Sequence, residues 1–413
     1  MALRAHLVIS GLAPRTCVRI RLGTGLVALA VVATGCGPSG VPASRRTGRE
    51  TASASLGTSP ATPEPALSYY PEGFLDRGES IPDSAIRRFS TDRGPSQWFS
   101  PLGVCPDGRL VVGRTNARPE RPDSSPPAEM VLFDTATGSN RTIRRMPDFW
   151  TQPGDVDCDG NWLVWSENYN DVPNWVIYAY RLPDGPVVEL DRHSANAKGQ
   201  PVNAHPWLTP SVDKGVAVWH HAEVGGRRRI LAKYLADDSP PRELAAEGGL
   251  PAIIYPWVYY GAPPAPGHVE AVNFETGERR PLRIARGQAI HYLEAGGNTV
   301  VAMVGWTNET PDLQVASPPE AEPRVLSEPP GEPDPGDGST YPGMYRLQFP
   351  TVGDRFVGFG SSSLFDLKLG RLVRLERPPL LVDASMARGK AVIWGVRPPG
   401  SEWWTEFAVA VVD

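Results

Sequence analysis

The chain has 413 residues, 41 Lys and Arg against 46 Asp and Glu, a balance that gives no electrostatic footprint for nucleic acid. Glycine (42) and proline (45) together make about a fifth of the residues, well above the ordinary roughly 12%. No capped apolar stretch of helical period occurs after residue 70, so a mainly helical body is excluded.

The N-terminus comes first. Arg15, Arg19 and Arg21 precede the apolar run "GLVALAVVATGC" (25–36). This is the charged-then-apolar pattern of a secretory signal peptide, and the run is too short to span a bilayer. Its end, Ala33-Thr34-Gly35-Cys36, resembles the lipobox of bacterial lipoproteins, with Ala33 where leucine is usual. That resemblance implies a signal peptide over 1–35, diacylation of Cys36, and an extracytoplasmic position anchored to the cell membrane by the N-terminal lipid. An ordinary cleaved signal and an uncleaved anchor are the alternatives. The segment before Arg15 is superfluous to such a signal, which places a translation start near Val18. Residues 36–68 are mostly Ser, Thr, Ala, Gly and Pro, too poor in large apolar side chains to fold. They read as a flexible tether with a mean reach of about 30 Å. The folded domain is then 69–413.

Within it a unit recurs. An apolar run follows a Gly or Asp turn at "GRLVVGR" (108–114), "GNWLVWS" (160–166), "KGVAVWH" (214–220), "YPWVYYG" (255–261), "GNTVVAMV" (297–304), "GDRFVGFG" (353–360) and "GKAVIWG" (389–395). A second run and tight turn recur as "VLFDTATG", "VIYAYRLPDG", "ILAKYLADD", "VEAVNFETG" and "LFDLKLG", with "DLQVAS" as a weaker copy. With a short strand such as "PLGVC" ahead and an outer strand behind, each unit has four strands in about 47 residues, the period of a propeller blade. Runs apolar on both faces, such as "WLVW", suit a sheet sandwiched between two others. The fold class is therefore all-β: a seven-bladed β-propeller of four-stranded blades, the fourth irregular. The last unit stops at "FAVAVVD" without an outer strand, and "AIRRFST" (85–91) is left over upstream. Joining the two closes the ring and removes an exposed edge. In architecture and pattern, residues 80–413 resemble bacterial TolB-like or YncE-like propellers.

The two rims differ. Turns between first and second strands are tight and rich in Asp and Gly ("PDGR", "CDGN", "VDKG"), as positive-φ hairpins require. Longer segments fall on the other rim, among them 115–129, 145–154, 167–175, 191–207, 306–312, 327–343 and 397–404. Loops on a rigid scaffold carry function, and these contain Phe149, Trp150, Tyr169, Trp175, Trp306 and Trp403. Tyr169, Trp175, Trp150, Trp306 and Trp403 are the candidate binding residues; the competing reading has such aromatics fold back onto the blade tops. Trp162, Trp165, Trp219 and Trp394 lie in the repeated apolar runs and read as blade packing.

Cys105 and Cys158 end matching inner strands of successive blades, and an exported chain meets oxidising conditions, so they read as a disulfide; two buried thiols are the alternative. His205, His220 and His291 raise the question of a metal site across the axis, of the kind that propeller lyases acting on oligogalacturonides use, but their spacing matches no metal motif. Asp334 and Asp337 lack the spacing of a calcium loop. No nucleophile elbow, phosphate loop or dinucleotide fingerprint occurs, so no catalytic residue, metal or cofactor is assigned. The expected role is a lipid-anchored binding or scaffold module for an envelope protein or a glycan. The alternative is a carbohydrate-active lyase or glycosidase with its site at the long-loop face.

Overall fold

The computed structural model describes residues 75–92, 97–117, 127–148, 151–169, 175–193, 209–223, 227–262, 267–305, 312–326, 350–359, 363–376, 381–398 and 404–413. The signal segment 1–35, Cys36 and the tether to residue 68 lie outside them. The described residues form a seven-bladed β-propeller, each blade built on four antiparallel strands. Blade I comprises Gln97–Val104, Leu110–Ala117, Glu129–Asp134 and Asn140–Arg145; blade II comprises Thr151–Cys158, Trp162–Tyr169, Trp175–Arg181 and Val187–His193. Blade III runs from Ser211–Asp213 to Arg242–Ala245, blade IV from Gly249–Ile254 to Arg279–Pro281, and blade V from Ile290–Gly296 to Arg324–Leu326. Blade VI runs from Thr351–Val352 to Arg371–Arg374. Blade VII holds Leu381–Arg388, Ala391–Arg397 and Glu406–Val411, and its outer strand is the N-terminal segment Ile86–Ser90.

That last pairing is antiparallel from Ile86↔Ala410 to Ser90↔Glu406, so the leftover strand near the start of the domain does close the ring. Phe89 sits at the junction, 4.9 Å from the Phe133 ring of blade I and 5.2 Å from Phe407 of blade VII. Replacing Phe89 with Ala is expected to cost about 2–3 kcal/mol, because it opens a cavity at the one seam that joins the two ends of the domain. Urea unfolding of the variant measures this.

One strand has no counterpart in the sequence repeat. Leu75–Asp76 adds to the outer edge of blade VI in parallel, Leu75 opposite Val373, and covers an edge that would otherwise be open. Two residues are too short for any periodicity to reveal. Blade IV, expected to be irregular, is an ordinary four-stranded sheet; the register shift between Gly249 and Ala252 in its first strand has counterparts in the first strands of blades I, II, V and VII.

Blade faces are apolar on both sides because the core is divided among the seams. Buried clusters lie between each adjacent pair of blades, for example Val112, Met130, Leu163 and Trp165 between I and II and Val111, Phe133, Ile393 and Phe407 between VII and I. Trp165, Trp219 and Trp394, at equivalent places in three second strands, are fully buried. Each indole N–H donates to a carboxylate: Trp165 to Glu167 (3.0 Å), Trp219 to Asp191 (2.8 Å) and Trp394 to Glu376 (2.8 Å). A buried indole left unpaired would lose about 1–3 kcal/mol, so the tryptophans and these acids belong together.

Arginines stitch the seams from outside. Four outer strands each reach the turn between third and fourth strands of the next blade: Arg87 to the Thr135 carbonyl (3.3 Å), Arg141 to Asp184 and the Pro183 carbonyl, Arg242 to the Phe274 carbonyl (2.7 Å), and Arg280 to Glu320. Being on the surface, each contributes only about 0.2–1 kcal/mol, and their weight is in the repetition.

Candidate functional site

The first strand of every blade lines the central channel and ends at the rim of tight turns. At these ends the backbone turns sharply through glycine. Gly389, at φ +52°, lies so close to Pro106 that a Cβ there would sit 2.5 Å from the proline Cβ, and Lys390 N–H donates to the Pro106 carbonyl (3.0 Å). The turns of blades VII and I therefore interlock.

Arg388, the last residue of the blade VII inner strand, reaches across the channel at this rim. Its guanidinium donates to the carbonyls of Cys158 (3.2 Å), Val212 (2.6 Å) and Ala295 (3.0 Å), which belong to blades II, III and V. It also grips Asp157 through both oxygens, Nε to Oδ1 at 2.9 Å and Nη2 to Oδ2 at 3.0 Å. Only a planar, five-donor fork can satisfy so many acceptors at once. Asp157 in turn accepts from Ser211 Oγ (2.9 Å) and the Val212 N–H (2.8 Å). Asp213 does the same one blade further on, accepting from the Tyr255 N–H (2.8 Å). One arginine thus plugs the tight-turn end of the channel.

Above this plug the wall is acidic. Tyr292 and Glu294 of blade V feel the charge of Asp155 of blade II, although two blades separate them along the ring. Burial pushes the Asp155 carboxyl up to about 7. Burial also raises Glu294, helped by the negative charge of Asp157 and opposed by Arg388. Asp213 is raised chiefly by burial, and the Tyr292 phenol is driven far above its ordinary value for the same reason. Arg388 loses solvation too, but Asp157, Glu294 and Asp213 outweigh that loss and hold it charged. Asp155 and Glu294 are both half-buried on the inner strands.

Beside the plug, Cys105 and Cys158 are joined as a disulfide between blades I and II, with Cα atoms 5.1 Å apart. Alkylation of the denatured chain is expected to label these two cysteines only after reduction, as intact mass would show. Replacing both with Ser is expected to cost about 2–4 kcal/mol.

The aromatic candidates fare differently. Trp175 begins the third strand of blade II and is only 6% exposed, packed with Val164, Ile177, Ala217 and Trp219 at the II–III seam. It is core, not loop surface, because the strand starts two residues after Pro173 and draws the indole inward. Tyr169 ends the second strand of that blade; its side chain lies outside the described residues, as do Phe149, Trp150, Trp306 and Trp403. His220 is buried in the second strand of blade III and His291 is half-buried on the inner strand of blade V; His205, Asp334 and Asp337 fall outside the described residues. Among the described residues no three His, Cys, Asp or Glu side chains converge on a metal position. The channel residues Asp155, Asp157, Asp213, Glu294 and Arg388 went unnoticed in the sequence. Their signal is charge inside otherwise apolar inner strands, as in "GDVDC", "SVDKG", "YLEAG" and "SMARG".

No family model and no curated protein matches the chain. Solved structures do. The β-propeller domain of the Trilobed protease from Pyrococcus furiosus, described as having an open velcro topology, aligns with a TM-score of 0.51 at 8% identity over 78% of this chain and 94% of that one. A prolyl endopeptidase aligns at 0.39 and 9% identity over 74% of this chain, which spans 55% of that protein's length. An oligogalacturonate lyase in complex with manganese aligns at 0.41 and 14% identity over 78% of this chain and 79% of that one. At such identities the likeness concerns the fold alone.

Proposed function

We propose that this chain is an extracytoplasmic binding or scaffold module, held at the cell membrane by a lipid on Cys36, that engages an envelope protein or a glycan at its long-loop rim. The plug carries this reading. Arg388 spans the tight-turn end, and the long connections leave strand ends at Ala117, Tyr169, His193, Val304 and Leu326 on the opposite rim. A rigid ring that presents its long connections on one rim is suited to recognition. The TolB-like or YncE-like pattern of the sequence agrees with such a role.

Capture from envelope extracts with the full lipid-anchored chain tests it. Wild-type protein should retain a specific protein or glycan that is lost when the 327–343 segment is replaced by a Gly-Ser linker; equal capture by both would refute binding at this rim. Mass of the mature N-terminus tests the anchor, since any unlipidated N-terminus other than Cys36 excludes it. A second reading, a lyase or glycosidase, draws on one observation: a carboxyl such as Asp155 that keeps its proton near neutral pH can serve as a general acid. Turnover of a polysaccharide panel, abolished by Asp155→Asn, would establish that reading instead.

A further inference from the structure

The tight-turn rim is stitched from blade to blade at several of its seams. The Asp159 carboxylate of blade II accepts from the Gly215 N–H of blade III (2.6 Å), and Asp213 accepts from the Tyr255 N–H of blade IV (2.8 Å). Asp354 N–H donates to the Gly389 carbonyl between blades VI and VII (2.7 Å), and Lys390 N–H to Pro106 between VII and I. The blade I turn leans on blade VII: a Cβ on Gly108 would lie 2.5 Å from Val411 Cγ2. Its other flank, toward blade II, is open, and nothing stands within 4 Å of a Cβ built on Gly160 there. The disulfide joins this seam at its inner end, and Arg141 bridges to Asp184 and Pro183 at its outer end. Between them lies a cavity of about 480 Å³.

The floor of this groove is apolar, made by Leu110, Leu132 and Leu182 beside the disulfide. Its walls carry the exposed Asn140 of blade I and Asn161 of blade II, and neither carboxamide has a hydrogen-bond partner among the described residues. On the lip, Asp184 is held by Arg141. Asp134 accepts from the Ala136 and Thr137 N–H groups and, loosely, from Arg109 (3.4 Å). Asp107 accepts from the Arg109 backbone N–H alone (3.0 Å). Three acids thus face two arginines, and the lip keeps a negative charge.

We propose that this groove binds an extended peptide segment that carries an aliphatic residue beside a lysine or arginine. A carboxamide presents donors and an acceptor side by side, the same pair that a peptide unit offers in return. Asn140 and Asn161 can therefore clasp the main chain from both walls. The leucine floor takes the aliphatic side chain, and the basic residue pairs with Asp107. The same inventory disfavours a glycan, because no aromatic ring among the described residues lines the groove for a sugar face to stack on. The cavity falls within the roughly 300–1,000 Å³ of small-ligand sites, room for a few residues and not for a folded domain. It opens on the rim opposite the long loops, so the chain can hold one partner at each face.

Panning the full chain against phage-displayed random heptapeptides tests this, followed by calorimetry with the enriched peptide made synthetically with blocked ends. Enrichment of an aliphatic residue adjacent to Lys or Arg is expected. Asn161→Trp projects an indole into the groove from an exposed turn position, and should weaken the peptide at least about tenfold with circular dichroism unchanged. Asn140→Ala serves the same purpose if the tryptophan variant misfolds. Asp107→Asn keeps an acceptor for the Arg109 N–H and removes the charge; it should cost about two- to fivefold and flatten the salt dependence. Replacing 327–343 with the Gly-Ser linker should leave peptide affinity unchanged, which separates this site from the long-loop rim. The proposal is overturned if no peptide is enriched, if the enriched sequences are acidic or lack the aliphatic residue, or if the groove variants bind like wild type. Loss of peptide binding in the linker variant overturns it too, by moving the site to the other rim. An oligosaccharide that binds in an Asn161-dependent manner where peptides fail would give the groove to glycans and sink the proposal likewise. Groove variants that lose the peptide yet still capture the envelope partner uphold two separate sites. Peptide binding by a chain that captures nothing at the long-loop rim upholds the groove alone.

Discussion

Arg388→Met is expected to lower the free energy of unfolding by about 3–5 kcal/mol, among the largest losses any single replacement in the ring should cause. Methionine fills much of the volume, so the cost is not a cavity. It comes from leaving Asp157 charged and enclosed, and from stranding three carbonyls that belong to blades II, III and V. Arg388→Lys should recover only part of it, because a point-charge ammonium cannot hold Asp157 bidentately and also reach carbonyls on three sides. Replacing Asp157 with Asn in the Arg388→Met background should restore part of the loss, since the enclosed charge is then gone. Guanidinium denaturation of wild type, Arg388→Met, Asp157→Asn and the double variant measures this as a double-mutant cycle, and an additive result would refute the hub.

Asp155→Asn is expected to act in the opposite direction. The folded protein holds this carboxyl at about 7, far above its unfolded value, because burial penalises the charge. A group raised in this way favours folding fully only at pH values below the ordinary carboxylate range. Its contribution declines as pH climbs and is gone above about 7. Wild-type stability should therefore fall between about pH 4 and pH 7, by an amount on the order of 4 kcal/mol at most from this residue. Asparagine removes that dependence. The variant should match wild type near pH 4 and exceed it at pH 8, with a flatter profile between, as thermal melts across the range would reveal. A destabilised variant at pH 8 would mean that Asp155 is paired and that its ionised form is supported.

Most of the fold was legible in the sequence, and the reason is physical. A blade sandwiched between blades needs apolar residues on both faces, and the turns need glycine at positive φ, so "GNWLVWS" and "GKAVIWG" announce the same environment. The missing outer strand of the last unit and the surplus "AIRRFST" were two halves of one observation. Residues 75–76 were not legible, because two residues pairing in parallel with blade VI leave no period to detect. The site was read less well. Aromatic density drew attention to Trp175, yet burial at the II–III seam explains it. Charge in the inner strands attracted none, although Asp155 and Arg388 break an apolar pattern in the place where only a channel could tolerate them. Side chains that meet across an axis lie hundreds of residues apart in sequence, and nothing local connects Asp157 with Arg388.

The strand at Ile86–Ser90 also sets an order of events in time. It leaves the ribosome before any blade, yet its partner Glu406–Val411 follows all seven first strands. Six blades can form while that partner is still missing, and the seam between VII and I cannot. Until that partner arrives, the early strand and the open flank of blade I present unpaired edges of the kind that invite association. Such long-range closure is slow by its topology. A chain lacking Glu406–Asp413 would keep nearly every blade and still lose the strand pairing that joins the N-terminal segment to blade VII.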